Sequence, residues 1–282
     1  MTLLRMNSYV NQIKEVLQQF GPIGLEQMMG VKLMNRTDTK YVVRLPKLIE
    51  LLEASKDDYF VQTNGEGERI AGYHSVYMDT PDHQMYGRHE RGHKPRQKVR
   101  MRTYLDTMET FLEIKHKNNH GRTGKKRIRM EVGNDPLEAN RLVPQVLAKL
   151  KQPPLFTRVA GQVERGALGD DTLLSVMENY FDRITLVNRG MTERLTIDLN
   201  LRFHNFETGQ DTSMERLAII ELKRDGHAPS PMHETLIRMH VHPGGFSKYC
   251  IGMALTNPTL QINNFKEKIQ WIKKLSKPLP QQ

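Results

Sequence analysis

Two short segments constrain this chain more than anything else in it. Residues 218–225 read AIIELKRD and residues 110–116 read TFLEIKH, and each sets a Glu and a Lys two apart inside an apolar run. In a strand, residues i and i+2 share a face. Glu221 and Lys223 therefore point one way, and Ile220 and Leu222 the other; Glu113 and Lys115 likewise oppose Leu112 and Ile114. One face suits a core and the other carries paired opposite charges.

The alternation recurs along the chain. In KVRMRTY, Arg100 and Arg102 oppose Val99 and Met101, and in DRITL, Arg183 opposes Ile184. In RLTIDLNLRF, Arg194, Asp198 and Arg202 oppose Leu195, Ile197, Leu199 and Leu201. In RTDTKYVV, Arg36, Asp38 and Lys40 alternate with Thr37, Thr39 and Tyr41. GYHSVYMDT, KRIRMEV and YFDRITLVN complete the candidate strands, with turn-rich stretches such as NNHGRTGK between them. Short strands in succession with few helices between them favour antiparallel pairing over a βαβ repeat.

Helical spacing marks residues 8–20, a segment from Pro46 through KLIELLEAS, residues 136–150 with Pro144 as a break, and SPMHETLIRMH, where Ser230 caps and Pro231 takes the first helical position. NNFKEKIQWIKKL, in a C-terminal helix at 263–276, puts Phe265, Ile269, Ile272 and Leu275 on one face. No repeat or long linker interrupts the pattern, so residues 1–282 read as one domain with its strand core at 33–255.

Charge decides how the strands must close. Of 282 residues, 42 are Lys or Arg and 32 are Asp or Glu, a net charge of +10 that suits an anionic partner. Like charges on neighbouring strands repel unless something anionic lies between them. A closed antiparallel barrel in an α+β fold resolves this, with apolar side chains turned outward under helices and basic side chains lining the lumen. Such a lumen suits a ligand with several phosphates, which Arg binds as a planar fork and Lys as a point charge. Interspersed carboxylates would repel that ligand unless they hold Mg²⁺ or Mn²⁺. On this reading Lys115 and Lys223 hold phosphate and Glu221 holds metal.

The ordered pieces NRTDTKY, SVYMDTPDHQMY, KVRMRTY, LEIKHK with GKKRIRM, YFDRITL with ERLTIDLNL, IIELK and FSKYCIGM run from Asn35 to Gly252. Together they resemble the VTC domain, the catalytic domain of vacuolar transporter chaperone polyphosphate polymerases, in the triphosphate tunnel metalloenzyme superfamily. The resemblance implies a tunnel holding ATP or polyphosphate, and transfer of the γ-phosphate of ATP to a growing chain with Mn²⁺ or Mg²⁺. It places basic tunnel residues at Lys40, Arg100, Arg102, Lys115, Lys126, Arg183, Arg194 and Lys248, and a metal carboxylate at Glu221 beside Lys223.

Of these, Arg100, Arg102, Arg183 and Arg194 would clamp the reacting phosphates, with Glu113 or Asp198 assisting Glu221 at the metal. The register of GKKRIRM has two readings: the resemblance selects Lys126, whereas alternation turns Arg127 and Arg129 inward. The stretch Arg36-Thr-Asp38-Thr-Lys40 replaces the Glu-x-Glu-x-Lys opening of many tunnel enzymes. A tripolyphosphatase or nucleoside triphosphatase of the same fold, and a polyphosphate-binding protein without turnover, are the alternatives.

Other features take plainer readings. Cys250 is the only cysteine, which excludes an intrachain disulfide and leaves a small buried hydrophobe. The run from Gly72 to Lys98, with four histidines, reads as a solvated basic loop able to guide an anion. HVHPGGFSKY reads as a turn, and the C-terminal helix as packed on the barrel. Aromatic content of 7% does not suit a single-strand RNA platform, so no nucleic-acid partner is expected. No segment approaches the length of a membrane span, and the start lacks a signal-peptide pattern, so a cytoplasmic location is expected, a membrane-protein partner remaining open.

Overall fold

The alternation becomes a ladder of long antiparallel strands. The computed structural model describes residues 2–28, 31, 36–120, 123–131, 133, 135–149, 173–226 and 228–278. Its elements are α1 (Thr2–Gln18), β1 (Gly21–Ile23), α2 (Leu25–Met28), β2 (Arg36–Arg44), α3 (Leu45–Glu53), β3 (Tyr59–Gln62), β4 (Ala71–Asp79), α4 (Gln84–Glu90), β5 (Arg96–Tyr104), β6 (Glu109–Lys117) and β7 (Thr123–Met130). They continue with α5 (Pro136–Lys149), β8 (Leu174–Asn188), β9 (Glu193–Asn205), β10 (Asp211–Met214), β11 (Leu217–Asp225), α6 (Pro231–Arg238), α7 (Lys248–Thr256) and α8 (Lys266–Ser276). The sheet order is β2-β11-β9-β8-β4-β5-β6-β7, and every pair along it is antiparallel.

Register puts the charges on one face. Lys40 stands opposite Glu221, Lys223 opposite Arg194, and Arg183 opposite Asp198. In the other half, Lys98, Lys115 and Lys125 form one row across three strands, and Arg100, Glu113 and Arg127 form the next. Curling brings these halves together: Lys115 on β6 lies close enough to Lys40 and Glu221, on strands at the far side of the ladder, to feel both charges. The sheet thus wraps a charged lumen.

The opposite face is the core. Ile220 and Leu222 of β11, Leu195 and Ile197 of β9, and Tyr41 and Val43 of β2 are buried against Ile13 and Leu17 of α1, Leu48 and Leu52 of α3, and Leu236 of α6. A fully buried Leu such as Leu48 contributes about 1.5–3 kcal/mol. Helix α7 packs on β8 and β9, and its N-terminus reaches Lys98 and Asp198 of the charged face. Its Tyr249, Cys250 and Met253 are buried with Met177, Leu201 and Phe203.

Several expectations shift. Helix α1 begins well before residue 8, and α5 runs through Pro144 instead of ending there. The histidine-rich run is not a loop: it contributes strand β4, the buried residues Met85 and Tyr86 of α4, and the start of β5. Burial of Asp79 explains the order, because its carboxylate accepts from the backbone N–H of Met85 and Tyr86, both at 2.9 Å, and from the hydroxyl of Tyr249. Arg202 leaves the charged face because the β8–β9 register shifts beside Asn200, whose φ is 51°. One extra residue in a strand reverses the facing of everything after it.

Candidate functional site

Three carboxylates organise the lumen, each shared between two cations. Glu113 accepts from Nε and Nη2 of Arg100 at 2.8 and 2.6 Å and also binds Lys125. Asp198 accepts from Nε and Nη2 of Arg183 at 2.6 and 2.9 Å and also binds Lys248. Glu221 lies 2.8 Å from Lys223 and 3.9 Å from Lys40. Register sets these groups: Glu113 and Asp198 each stand directly opposite an arginine whose fork holds them, with a lysine from the next strand or from α7 completing the group, whereas Glu221 stands opposite Lys40 and beside Lys223 of its own strand.

Each such group keeps a surplus positive charge, and further cations stand beside them. Arg102 is 5% exposed, with its Nε 3.1 Å from the hydroxyl of Ser75. Beneath it, the rings of Tyr73 and Phe181 stack at 5.1 Å; the guanidinium groups of Arg102 and Arg183 lie over both rings, and the ammonium of Lys248 over Phe181. Ring faces partly compensate these cations. Lys98 donates to Ser247, the N-cap of α7, at 2.8 Å, and Lys40 donates to the carbonyl of Phe246 at 3.1 Å. Residues 244–247 therefore strap β2 to β5, aided by the N–H of Gly244 bonding the carbonyl of Lys40 at 2.7 Å.

Ionisation follows the crowding. Burial opposes the charge on Glu113, but Arg100, Arg102 and Lys125 outweigh it and hold the carboxyl well below its usual range. Arg183 and Lys248 do the same for Asp198, and Lys40 and Lys223 for Glu221. Burial pushes Lys248 down to about 7 despite Asp198, and Lys98 to about 8. Lys115 is open to solvent yet ringed by protein, and that surrounding together with Arg100 brings it to about 7. Arg102, buried beside Arg100 and Arg183, falls to about 10.

The structure brings together Lys40, Arg100, Arg102, Lys115, Arg127, Arg183, Arg194, Lys223 and Lys248 on the lumen face. Lys126 is not among them: it stands opposite Ile114 on the apolar face, because the ladder keeps strict alternation without a bulge. Lys125 takes the inward place. Lys98 and Lys125 were both legible, since each precedes an inward arginine by two residues, but neither belongs to the residues that the family resemblance selects.

Among the described residues no three acid or histidine side chains converge to hold a metal ion. Glu113 and Asp198, expected to assist Glu221 at a metal, instead have both oxygens engaged by cations at short range. Glu221 differs. Its second oxygen has only Lys40, at 3.9 Å, so of the three it is the carboxylate that could hold a divalent ion.

Comparison with known proteins agrees with the ordered motifs. The sequence model of the family described as VTC domain matches residues 35–257. No curated protein sequence matches significantly. Similar solved structures include a Hippeastrum protein described as a candidate adenylyl cyclase with a dominant triphosphatase activity, at 15% identity over 82% of this chain and 99% of that one, with a TM-score of 0.41. A candidate adenylate cyclase from Bacillus halodurans is 14% identical over 76% of this chain and 96% of its own, with a TM-score of 0.44. At such scores the likeness carries no argument, and the site stands on its own geometry. No helix among the described residues is long and apolar enough to cross a membrane.

Proposed function

The chain belongs to the VTC domain family, and on that premise we propose that it is a polyphosphate polymerase-like transferase that moves the γ-phosphate of ATP onto a polyphosphate chain in its lumen. The observation that carries this reading is the charge plan. Three carboxylates are each held between two cations, and Lys98, Arg102 and Lys115 add positive charge beside them. A polyanion threaded along the lumen relieves that repulsion.

Phosphoryl transfer asks the protein chiefly for position and for stabilisation of developing charge. Arg100 and Arg183 are pre-aligned by Glu113 and Asp198, so their forks meet phosphate oxygens without reorganising. Arg102, fixed on Ser75 over the Tyr73–Phe181 stack, adds a third fork. Arg194, opposite Lys223, adds a fourth further along. Lys125 and Lys248 can leave their carboxylates for phosphate, whereas the arginines stay in place. Glu221 would hold Mg²⁺ or Mn²⁺, which when bound neutralises charge on the transferring phosphate. No nucleophilic side chain is needed, because the terminal phosphate of the polymer is the acceptor.

Incubation with ATP and Mn²⁺, followed by separation of ADP, free phosphate and polymer, tests the reading. A polymer ladder with ADP is expected. Free phosphate without polymer would make the protein a phosphohydrolase, and intact ATP with bound tripolyphosphate would make it a binding protein. Glu221→Ala is expected to abolish turnover and to retain tripolyphosphate binding by calorimetry; undiminished turnover would remove Glu221 from the metal.

A further inference from the structure

We infer that the end of the lumen beside the β5–β6 hairpin is a platform for a nucleobase, built by Phe111, Tyr104 and Arg127. The guanidinium of Arg127 lies 3.5 Å from the ring centroid of Phe111 and 5.2 Å from that of Tyr104. Phe111 meets Tyr104 edge-on, with centroids 5.8 Å apart and planes at 85°. Arg127 is exposed, so a planar, delocalised cation already stacked on one ring is presented to solvent. Phe111 and Tyr104 are only partly buried.

Position makes this more than hairpin packing. Phe111 stands directly opposite Arg102 and is two residues from Glu113, so the platform adjoins the arginine clamps on the same face. The hairpin itself carries exposed Leu105 and Met108, 40% and 68% accessible, at the rim. The other end of these strands has a different character: there Lys98, Lys115 and Lys125 lie side by side, a row of point charges suited to phosphate alone. The lumen is therefore polar along its length, with a planar-ligand end and a phosphate-chain end. Stacking on aromatic and guanidinium faces is how proteins hold bases without reading their edges. A nucleoside triphosphate would enter with its phosphates foremost and leave its base on Phe111, Tyr104 and Arg127.

This inference rests on reading the lumen as a phosphate site, and two probes separate the two. Calorimetric affinities for ATP and for inorganic tripolyphosphate are measured without divalent metal, for the unaltered chain and for Phe111→Leu, which keeps apolar bulk but removes the ring face. Base stacking is worth roughly 1–3 kcal/mol, so the ratio of ATP to tripolyphosphate affinity is expected to fall by about tenfold in the variant. Tyr104→Leu, tested in the same way, supplies an independent variant should Phe111→Leu fail to fold. A ratio unchanged within about twofold, with both ligands still bound, overturns the base platform and leaves the phosphate site standing. Failure of the unaltered chain to bind either ligand overturns both.

Discussion

At the scale of single residues, the lumen is held in tension. Asp198 is buried between Arg183 and Lys248, with side-chain exposures of 6%, 15% and 12%. Removing one partner of a buried ion pair leaves charge uncompensated, at a cost of about 3–5 kcal/mol. Asp198→Asn is therefore expected to lower the melting temperature, and tripolyphosphate is expected to restore more of it than the same ligand adds to the unaltered chain; equal ligand effects in thermal denaturation would contradict this.

Three of the lysines pushed down by burial, Lys98, Lys115 and Lys248, give a pH dependence with a definite sign. Lys115 and Lys248 sit at about 7 and Lys98 at about 8 when folded, against roughly 10.4 in an unfolded chain. Between pH 7 and about 10 the unfolded chain binds more protons at these sites, so their contribution to stability rises with pH across that window. A polyanion favours the charged forms. Binding of tripolyphosphate at pH 8 should take up protons, read from calorimetry in buffers of different ionisation enthalpy; zero uptake or release would contradict the assignment. The resemblance selects Lys126 but the register turns Lys125 to the lumen, since one residue of register decides which face a side chain takes.

At the scale of elements, function depends on where α7 docks. Lys248 and Ser247 reach Asp198 and Lys98 only because α7 lies against Met177 and Phe203. Gly252 permits this approach: a Cβ there would stand 2.4 Å from Met177 Sδ and 2.7 Å from Phe203 Cδ1. Gly252→Ala is expected to destabilise the protein by about 1–3 kcal/mol, through overpacking, and to weaken tripolyphosphate binding. Chemical denaturation and calorimetry check the two effects, and weakened stability with intact binding would detach α7 from the site.

The strands themselves were legible, because period-two alternation of Leu, Ile and Val against Arg, Lys and Glu has few other solutions. The helix at Pro46 was legible from its proline, and the one after Ser230 from its cap and proline together; Ser230 accepts from the N–H of His233 as its place in the sequence suggested. Helix α4 was not. Its order comes from the buried Asp79 and from Tyr249, far along the chain, which no local pattern contains.

At the scale of the whole molecule, the chain carries a net charge of +10, and the lumen face holds more cations than carboxylates. Tripolyphosphate is expected to raise the melting temperature by mass action, by about 2.7 kcal/mol of stability at a hundredfold excess over its dissociation constant. Sodium chloride of equal ionic strength should not reproduce the effect, and a matching shift with chloride would reduce the lumen to a generally screened surface.

Legible in the sequence were the apolar and charged faces of most long strands, the excess of cations over acids, and the VTC domain family. The first two properties are local or additive, so composition and spacing suffice for them, while the family rests on the match of the ordered motifs. The folded arrangement alone fixes which cations share which carboxylate, that Glu113 and Asp198 hold arginines, that Arg202 turns outward, and that Phe111, Tyr104 and Arg127 meet at one end. Each of these depends on register between strands distant in sequence and on the curl that brings them together, and a single bulge or slip would have changed the outcome.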